Sequence, residues 1–358
     1  MSSNSELSVL QFTTNLNYGD AISDEVVAIQ RALETWGYET TTYAQYVVPR
    51  MRDKAHIFHK FKPPHGRWLA IYHHSIASDI CTFVTRQDAP KVMIYHNVTP
   101  PEYFYGTNYF MGELARKGRA DLAVLAPHYT LGLGDSEFNR QELVAARFRR
   151  TGVLPLVIDY AKYNAPANPT IVKRFGDGRT NILFVGRISP NKRQEDVIKA
   201  FRFYKELDPS ARLILVGSDQ TTEVYRRWLG ELVTALGVAD VIFTGHIEAR
   251  DLIGYYQTAS VLLSMSEHEG FGVPLVESMH FGVPVVAFAS TAVPETLNGS
   301  GVLIRRKDYA AIAATVYQVV HDQHLRQRLI LRGRERLRDF EPARVLDQLR
   351  AYIQEIAA

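Results

Sequence analysis

Ser264-Met-Ser-Glu-His-Glu-Gly-Phe-Gly-Val-Pro-Leu-Val-Glu277 decides how the rest of the chain is read. The apolar run Ser260–Met265 leads into it with the length of a strand, a Gly-rich turn follows, and a helix is predicted to open with Pro274. Gly270 and Gly272 let the main chain pass close to a ligand where a Cβ would collide. Pro274 suits a first helical position, where its missing N–H is not needed. The unpaired N–H groups of a helix start attract anions. Glu269 sits in the turn and Glu277 in the first helical turn, so two carboxylates flank the same N–H groups. Such a set suits a polyol attached to a phosphate: carboxylates accept from hydroxyls and N–H groups hold the phosphate. The plainer reading is a tight strand-to-helix turn, with Glu277 complementing the helix dipole.

Working outward, strand-length apolar runs alternate with helical patterns twice over. The first series is Leu7–Phe12, Trp68–Tyr72, Lys91–Tyr95, Leu131–Gly134 and Val153–Ile158, with helices at Ala21–Trp36, Asp79–Gln87, Met111–Leu125 and Glu137–Arg147. The second is Ile182–Val185, Leu213–Val216, Val241–Phe243, Val261–Leu263, Pro284–Ala287 and Gly301–Ile304, with helices at Gln194–Leu207, Thr222–Leu236, Arg250–Thr258 and Tyr309–Asp322. Alternation of this kind marks βαβ units and parallel sheets. The expected architecture is α/β: two Rossmann-like domains whose sheets face an inter-domain cleft, with ligands at the carboxyl ends of the strands. The domains are expected over 1–160 and 161–338, with a helix over 339–358 returning towards the first. Pro166 and Pro169 give Ala165–Pro169 the character of a linker.

A chain of 358 residues is too long for one ordinary core. With 46% hydrophobic and 22% charged residues it is a soluble globular composition, and a net charge of +3 does not call for nucleic acid. The one cysteine, Cys81, fits a reducing compartment. Met1-Ser-Ser-Asn-Ser-Glu-Leu7 lacks the basic and apolar regions of a signal peptide, and no apolar run reaches the ~18–20 residues of a membrane span. A cytoplasmic protein is expected, with a peripheral contact at the inner membrane face. Arg50, Arg52, Lys54, Lys60, Lys62 and Arg67, with Ile57, Phe58 and Phe61 among them, form a basic stretch. It suits an anionic lipid surface or a phosphorylated acceptor, or is only a solvated loop.

Gly186, Arg187 and Lys192 follow the first strand of the second series. At a strand end the Arg fork and the Lys point charge together suit a diphosphate. Gly19 occupies the corresponding turn of the first series and again offers N–H groups to an anion. His96 ends Lys91–Tyr95 and points to the same crevice; His73 and His74 end the strand before it, but neighbouring strand residues face opposite sides. Twelve His and one Cys show no metal-ligand spacing, and no D-x-D occurs. Gly132 and Gly134 lack the third glycine of a dinucleotide fingerprint, and no P-loop motif is present.

With these residues in hand the chain resembles the family-four glycosyltransferases of the GT-B fold, over nearly its whole length and most strongly from Ile182 to Leu303. Glu269 and Glu277 match the family's two glutamates separated by seven residues around E-G-F-G; Gly186, Arg187 and Lys192 match its G-R followed by Lys. Gly282-Val-Pro-Val-Val286 and Glu295 match downstream segments, and Gly19 and His96 match positions in its first domain. Met265-Ser266 replaces the usual Pro-Ser, and Tyr18-Gly19 replaces a Gly-Gly pair. The resemblance implies a retaining, metal-independent transfer of a hexosyl group, mannosyl or glucosyl, from a nucleotide-diphosphate sugar (GDP- or UDP-linked) to a hydroxyl of a carbohydrate or lipid-linked acceptor, in glycan, polysaccharide or glycolipid synthesis, with no cofactor. It gives Glu277 the ribose, and Glu269 with the N–H groups of Gly270, Phe271 and Gly272 the sugar hydroxyls. Arg187 and Lys192 would hold the leaving diphosphate, and His96 would line the reacting face. Alternatives on the same fold are a nucleotide-sugar epimerase or hydrolase, or a non-enzymatic nucleotide-sugar-binding partner.

Overall fold

The computed structural model describes residues 7–358; residues 1–6, part of the segment read above as lacking a leader, lie outside the described residues. The chain divides into two units. The first takes residues up to Pro101, then Phe110–Asp159 and Asp339–Ala358; the second takes Glu102–Tyr109 and Tyr160–Arg338.

In the first unit β1 (Leu7–Leu16), β2 (Glu39–Val47), β3 (His56–Ile57), β4 (Arg67–His74), β5 (Lys91–Tyr95), β6 (Leu131–Gly134) and β7 (Thr151–Val153) form a parallel sheet in the order β3-β2-β1-β4-β5-β6-β7. The order reverses between β1 and β4, so the topological switch falls where Gly19 follows one strand and His73 and His74 end the other. Val9, Leu69, Ile71, Val92 and Ile94 pack on one face against Ile29 and Leu33 of helix Ala21–Thr35, and against Val345, Leu349 and Ile353 of helix Pro342–Ala357.

In the second unit β8 (Asn181–Val185), β9 (Arg212–Val216), β10 (Val241–Gly245), β11 (Val261–Ser264), β12 (Val285–Phe288) and β13 (Val302–Ile304) run in the order β10-β9-β8-β11-β12-β13. All pairs are parallel. Ile182 and Phe184 face the core under helices Gln194–Leu207 and Tyr309–His321, while Leu183 between them faces the other core with Leu275 and Met279, as the pleat requires. The switch here lies between β8 and β11, which are followed by Gly186-Arg187 and by the Glu269 turn.

Two expectations are corrected, and one strand has no counterpart among them. Strand β2 went unread because Glu-Thr-Thr-Thr-Tyr-Ala-Gln-Tyr-Val carries no apolar run: only Thr42 and Ala44 are buried in it. The apolar run Val153–Ile158 predicts a strand, but the ladder ends at Val153. Leu154, Leu156, Val157 and Ile158 are apolar because they enter the core, and Pro155 has no N–H to extend a ladder. The stretch Ala165–Pro169 is no loose linker. Asn168 caps helix Pro169–Phe175 and donates to Asp251 at 2.7 Å, and Arg250 donates to the Pro166 carbonyl at 2.9 Å.

Candidate functional site

The second unit's switch point is built from main chain pressed against main chain. Gly186 N–H donates to the Val216 carbonyl at 2.9 Å. Gly217, with φ +154°, lies so close that a Cβ would stand 1.9 Å from the Gly186 oxygen. Only glycine fits there. Sequence reasoning passed over Gly217, although its place directly after β9 was the available signal. Arg187 follows this contact and is exposed.

Lys192 closes the short 3-10 turn Pro190–Lys192. That turn is tied to the segment after β11: Glu267 N–H donates to the Asn191 carbonyl at 2.9 Å, and the Asn191 amide to the His268 carbonyl at 3.2 Å. These ties bring Lys192 Nζ to 2.6 Å from Glu269 Oε2, with the two side chains 19% and 12% exposed. Two residues picked separately from the sequence are therefore one ion pair. The Glu269 turn is itself braced: Glu269 N–H donates to Thr291 Oγ1 at 2.8 Å, and Thr296 Oγ1 donates to the Phe271 carbonyl at 2.6 Å. Gly270 follows Glu269 directly, whereas the Phe271 side chain is buried, so what Phe271 can offer a ligand is its main chain. Gly272 caps helix Val273–His280 at φ +89°.

Glu277 stands in the second turn of that helix, not the first, because the helix opens at Val273. It is buried, and each carboxylate oxygen already accepts a phenol. Tyr163 donates to Oε1, and Tyr256 donates to Oε2 at 2.8 Å. Burial and the adjacent carboxylate hold the Tyr256 hydroxyl well above its ordinary pKa, so it stays a donor. Each oxygen keeps a further lone pair for a ligand hydroxyl. Both tyrosines were missed, since contacts across 114 and 21 residues leave no local trace. A second missed network backs the site. Lys307 reaches Asp196 at 2.7 Å and Glu267 at 2.6 Å, and Arg193 and Tyr309 also bond Asp196. Burial opposes the Asp196 charge, but Lys307 and Tyr309 outweigh it and its pKa falls.

In the first unit Gly19 has φ +73° with open space at its Cβ position, and Asp20 caps the following helix by accepting from Ser23 N–H at 3.1 Å. His96 was expected to line a reacting face. Its imidazole is 1% exposed and both ring nitrogens are engaged: Nδ1 lies 3.1 Å from Asp135 Oδ2 and Nε2 lies 2.9 Å from His73 Nδ1. Neither is left over for a sugar hydroxyl. Glu25 Oε2 lies 3.5 Å from the same Nε2. His74 points the other way, to the Gly118 carbonyl, and burial lowers its pKa to about 4.

Residues 171–336 match the family model described as glycosyl transferases group 1. This segment is similar to the group 1 glycosyltransferases. The D-inositol 3-phosphate glycosyltransferase of Nocardiopsis dassonvillei is 28% identical over 66% of this chain and 58% of its own length. The O-antigen chain mannosyltransferase B of Escherichia coli is 29% identical over 44% of this chain and 41% of its own. The chain thus spans about half the length of the curated relatives it matches. Among solved structures, Anabaena HepE in complex with UDP-glucose has a TM-score of 0.73 at 18% identity, covering 97% of this chain and 99% of that one. Sucrose-phosphate synthase of Thermosynechococcus elongatus has a TM-score of 0.76 at 17% identity, covering 98% and 99%. The fold is that of the GT-B glycosyltransferases. Among the described residues no helix is long and apolar enough to cross a membrane.

Proposed function

We propose that the protein transfers a hexosyl group, mannosyl or glucosyl, from a nucleotide-diphosphate sugar to a hydroxyl acceptor with retention of configuration. The observation that carries this reading is the 2.6 Å Lys192–Glu269 pair in front of the glycine-capped helix start, inside the segment that matches the family. In the reading, Lys192 and exposed Arg187 take the charge that builds on the leaving diphosphate, the service a metal ion gives in other transferases. Glu269 then exchanges part of its contact with Lys192 for sugar hydroxyls, beside the N–H groups of Gly270, Phe271 and Gly272. Gly186 and Gly19 leave room for main chain to approach phosphate. Glu277, oriented by Tyr163 and Tyr256, accepts from the ribose hydroxyls.

The bond from the anomeric carbon to the diphosphate oxygen breaks, and the acceptor oxygen bonds to that carbon on the same face. The departing phosphate oxygen takes the acceptor's proton, so no side chain is needed as base. The exposed stretch Arg50, Arg52, Lys54, Lys60, Lys62 and Arg67 supports an acceptor carrying phosphate, or one presented on anionic lipid at the inner face of a membrane.

The test is a thermal-shift screen of UDP, GDP and ADP and their sugars. Ligand at ~100 Kd stabilises by about 2.7 kcal/mol, which is roughly 5–10 °C at ~2–4 °C per kcal/mol for a unit of this size. One nucleotide should give that shift, and Glu277→Ala should reduce it. No shift from any of the three at millimolar concentration removes the reading.

A further inference from the structure

Gln11, His73, His96 and Asp135 form a chain of hydrogen bonds in which every direction can be assigned. The Gln11 amide nitrogen lies 3.0 Å from the Val26 carbonyl, which can only accept. Its amide oxygen therefore faces His73 Nε2, at 3.1 Å, and that nitrogen must carry a proton. His73, buried and pushed well below its ordinary pKa by burial and by His96, is then neutral with a bare Nδ1. A bare nitrogen 2.9 Å from His96 Nε2 needs a proton on the latter. At the other end His96 Nδ1 faces Asp135 Oδ2 at 3.1 Å. The proton there belongs to the ring, since an imidazole is the stronger base of the two.

Glu25, His73 and His96 each offer an atom to a common point, all within 4.8 Å of one another, a set a divalent cation could also take. Ring geometry decides against it. The two imidazoles lie parallel to within 2° with centroids 5.2 Å apart. That separation is the 2.9 Å nitrogen contact plus one ring radius at each end. The rings are therefore end to end on one line, as a shared proton requires. Lone pairs bound to a metal would instead converge at an angle on a third point.

We infer that His96 is a buried imidazolium carrying both ring protons, that Gln11 and His73 are positioning residues that keep it so, and that His96 cannot act as a general base. Its neighbours agree. Burial pulls the His96 pKa down, but Asp135 and Glu25 pull harder and raise it to about 9. The charged and titratable groups facing it are His73 and His74 on β4, Glu25 on helix Ala21–Thr35, Asp20 before that helix and Asp135 after β6. Glu25 Oε2 and Asp135 Oδ1 are buried without a hydrogen-bond partner among the described residues; burial raises the pKa of both carboxyls and the charge on His96 opposes that rise.

The inference goes beyond the proposed function and does not rest on it, since the ring protons can be read with no substrate present. Long-range proton–nitrogen spectra of uniformly ¹⁵N-labelled protein at pH 7.5 should show one histidine protonated on both nitrogens, lost in His96→Gln. They should also show a neutral histidine protonated on Nε2, whose shift changes in Gln11→Leu. A His96 ring with a bare Nε2, or joint movement of the His73 and His96 signals on adding one equivalent of zinc chloride, overturns the inference. If the variants do not fold, a pH titration of the wild type decides: His96 must lose its second proton near pH 9, and loss near 6.5 overturns the inference. Gln11→Leu should lower the pH at which His96 loses its second proton by about one unit, the scale of losing support for the charged form. An unmoved His96 titration in folded Gln11→Leu means that Gln11 serves folding alone and refutes the positioning role.

Discussion

Replacing Lys192 with methionine separates two roles that its geometry combines. The ammonium is 2.6 Å from Glu269 Oε2, with 19% and 12% of the side chains exposed. Breaking a fully buried pair costs about 3–5 kcal/mol and an exposed pair about 0–1 kcal/mol. A mostly covered pair whose carboxylate can still draw in water should fall between, at about 1–2 kcal/mol. For a unit of this size that lowers Tm by about 2–8 °C, so the variant stays folded at 25 °C. Catalysis should suffer far more. Loss of one preorganised group facing developing charge costs about 10²–10³ in kcat, and a folded fraction near one cannot account for such a drop. The assay is the initial rate with the sugar nucleotide that gives the largest thermal shift, at saturating donor, beside a melting curve. Glu269→Gln is the control, since it breaks the same pair and leaves the cation. If Lys192→Met lowers Tm as calculated yet loses less than about threefold in kcat, the lysine only anchors Glu269 and its diphosphate role fails.

Tyr163→Phe and Tyr256→Phe each remove one donor from Glu277, and a hydrogen bond to a charged group is worth about 1.5–3 kcal/mol. Each should weaken nucleotide binding about tenfold or more by calorimetry; unchanged affinity in both would separate Glu277 orientation from the ribose. Stability of the first unit should fall from pH 6.5 to 9. Folded-state pKa values of His96, raised from 6.5 to about 9, and Glu25, raised from 4.5 to about 8, both mean stability that is full below the ordinary value and lost as pH rises through the folded one. The depressed pKa of His74 acts the other way only below 6.5. Hydrogen exchange of amides in β4 and β5 should follow this fall, and Glu25→Gln should flatten its part below pH 8; a flat wild-type profile contradicts the assignment. Lys60→Glu with Lys62→Glu should abolish binding to vesicles rich in anionic lipid while leaving stability within about 0.5 kcal/mol of wild type; undiminished binding shows a solvated loop.

The sheets and their switch points were legible because fully covered parallel strands such as Ile182–Val185 and Lys91–Tyr95 must be apolar on both faces. Strand β2 was not legible, because threonines on a half-covered strand look like loop. The turn residues Gly186, Lys192, Glu269 and Gly272 could be found because turn chemistry is local. Tyr163, Tyr256 and Gly217 could not, since each acquires its meaning only from a residue that the fold brings to it. His96 could be located by its strand end, but its partners are spread over β4, helix Ala21–Thr35 and the loop after β6, so no local pattern tells that its nitrogens are already taken.

Helix Pro342–Ala357 supplies Val345, Leu349 and Ile353 to the core of the first unit. A ribosome therefore finishes the long contiguous part of the second unit, Tyr160–Arg338, while the first still has an uncovered apolar sheet face. That earlier half must wait, exposed to chaperones and to aggregation, until Pro342–Ala357 emerges. Loss of this helix would do its damage some three hundred residues upstream, at Val9 and Leu69, and would leave the separate cores of the second unit intact.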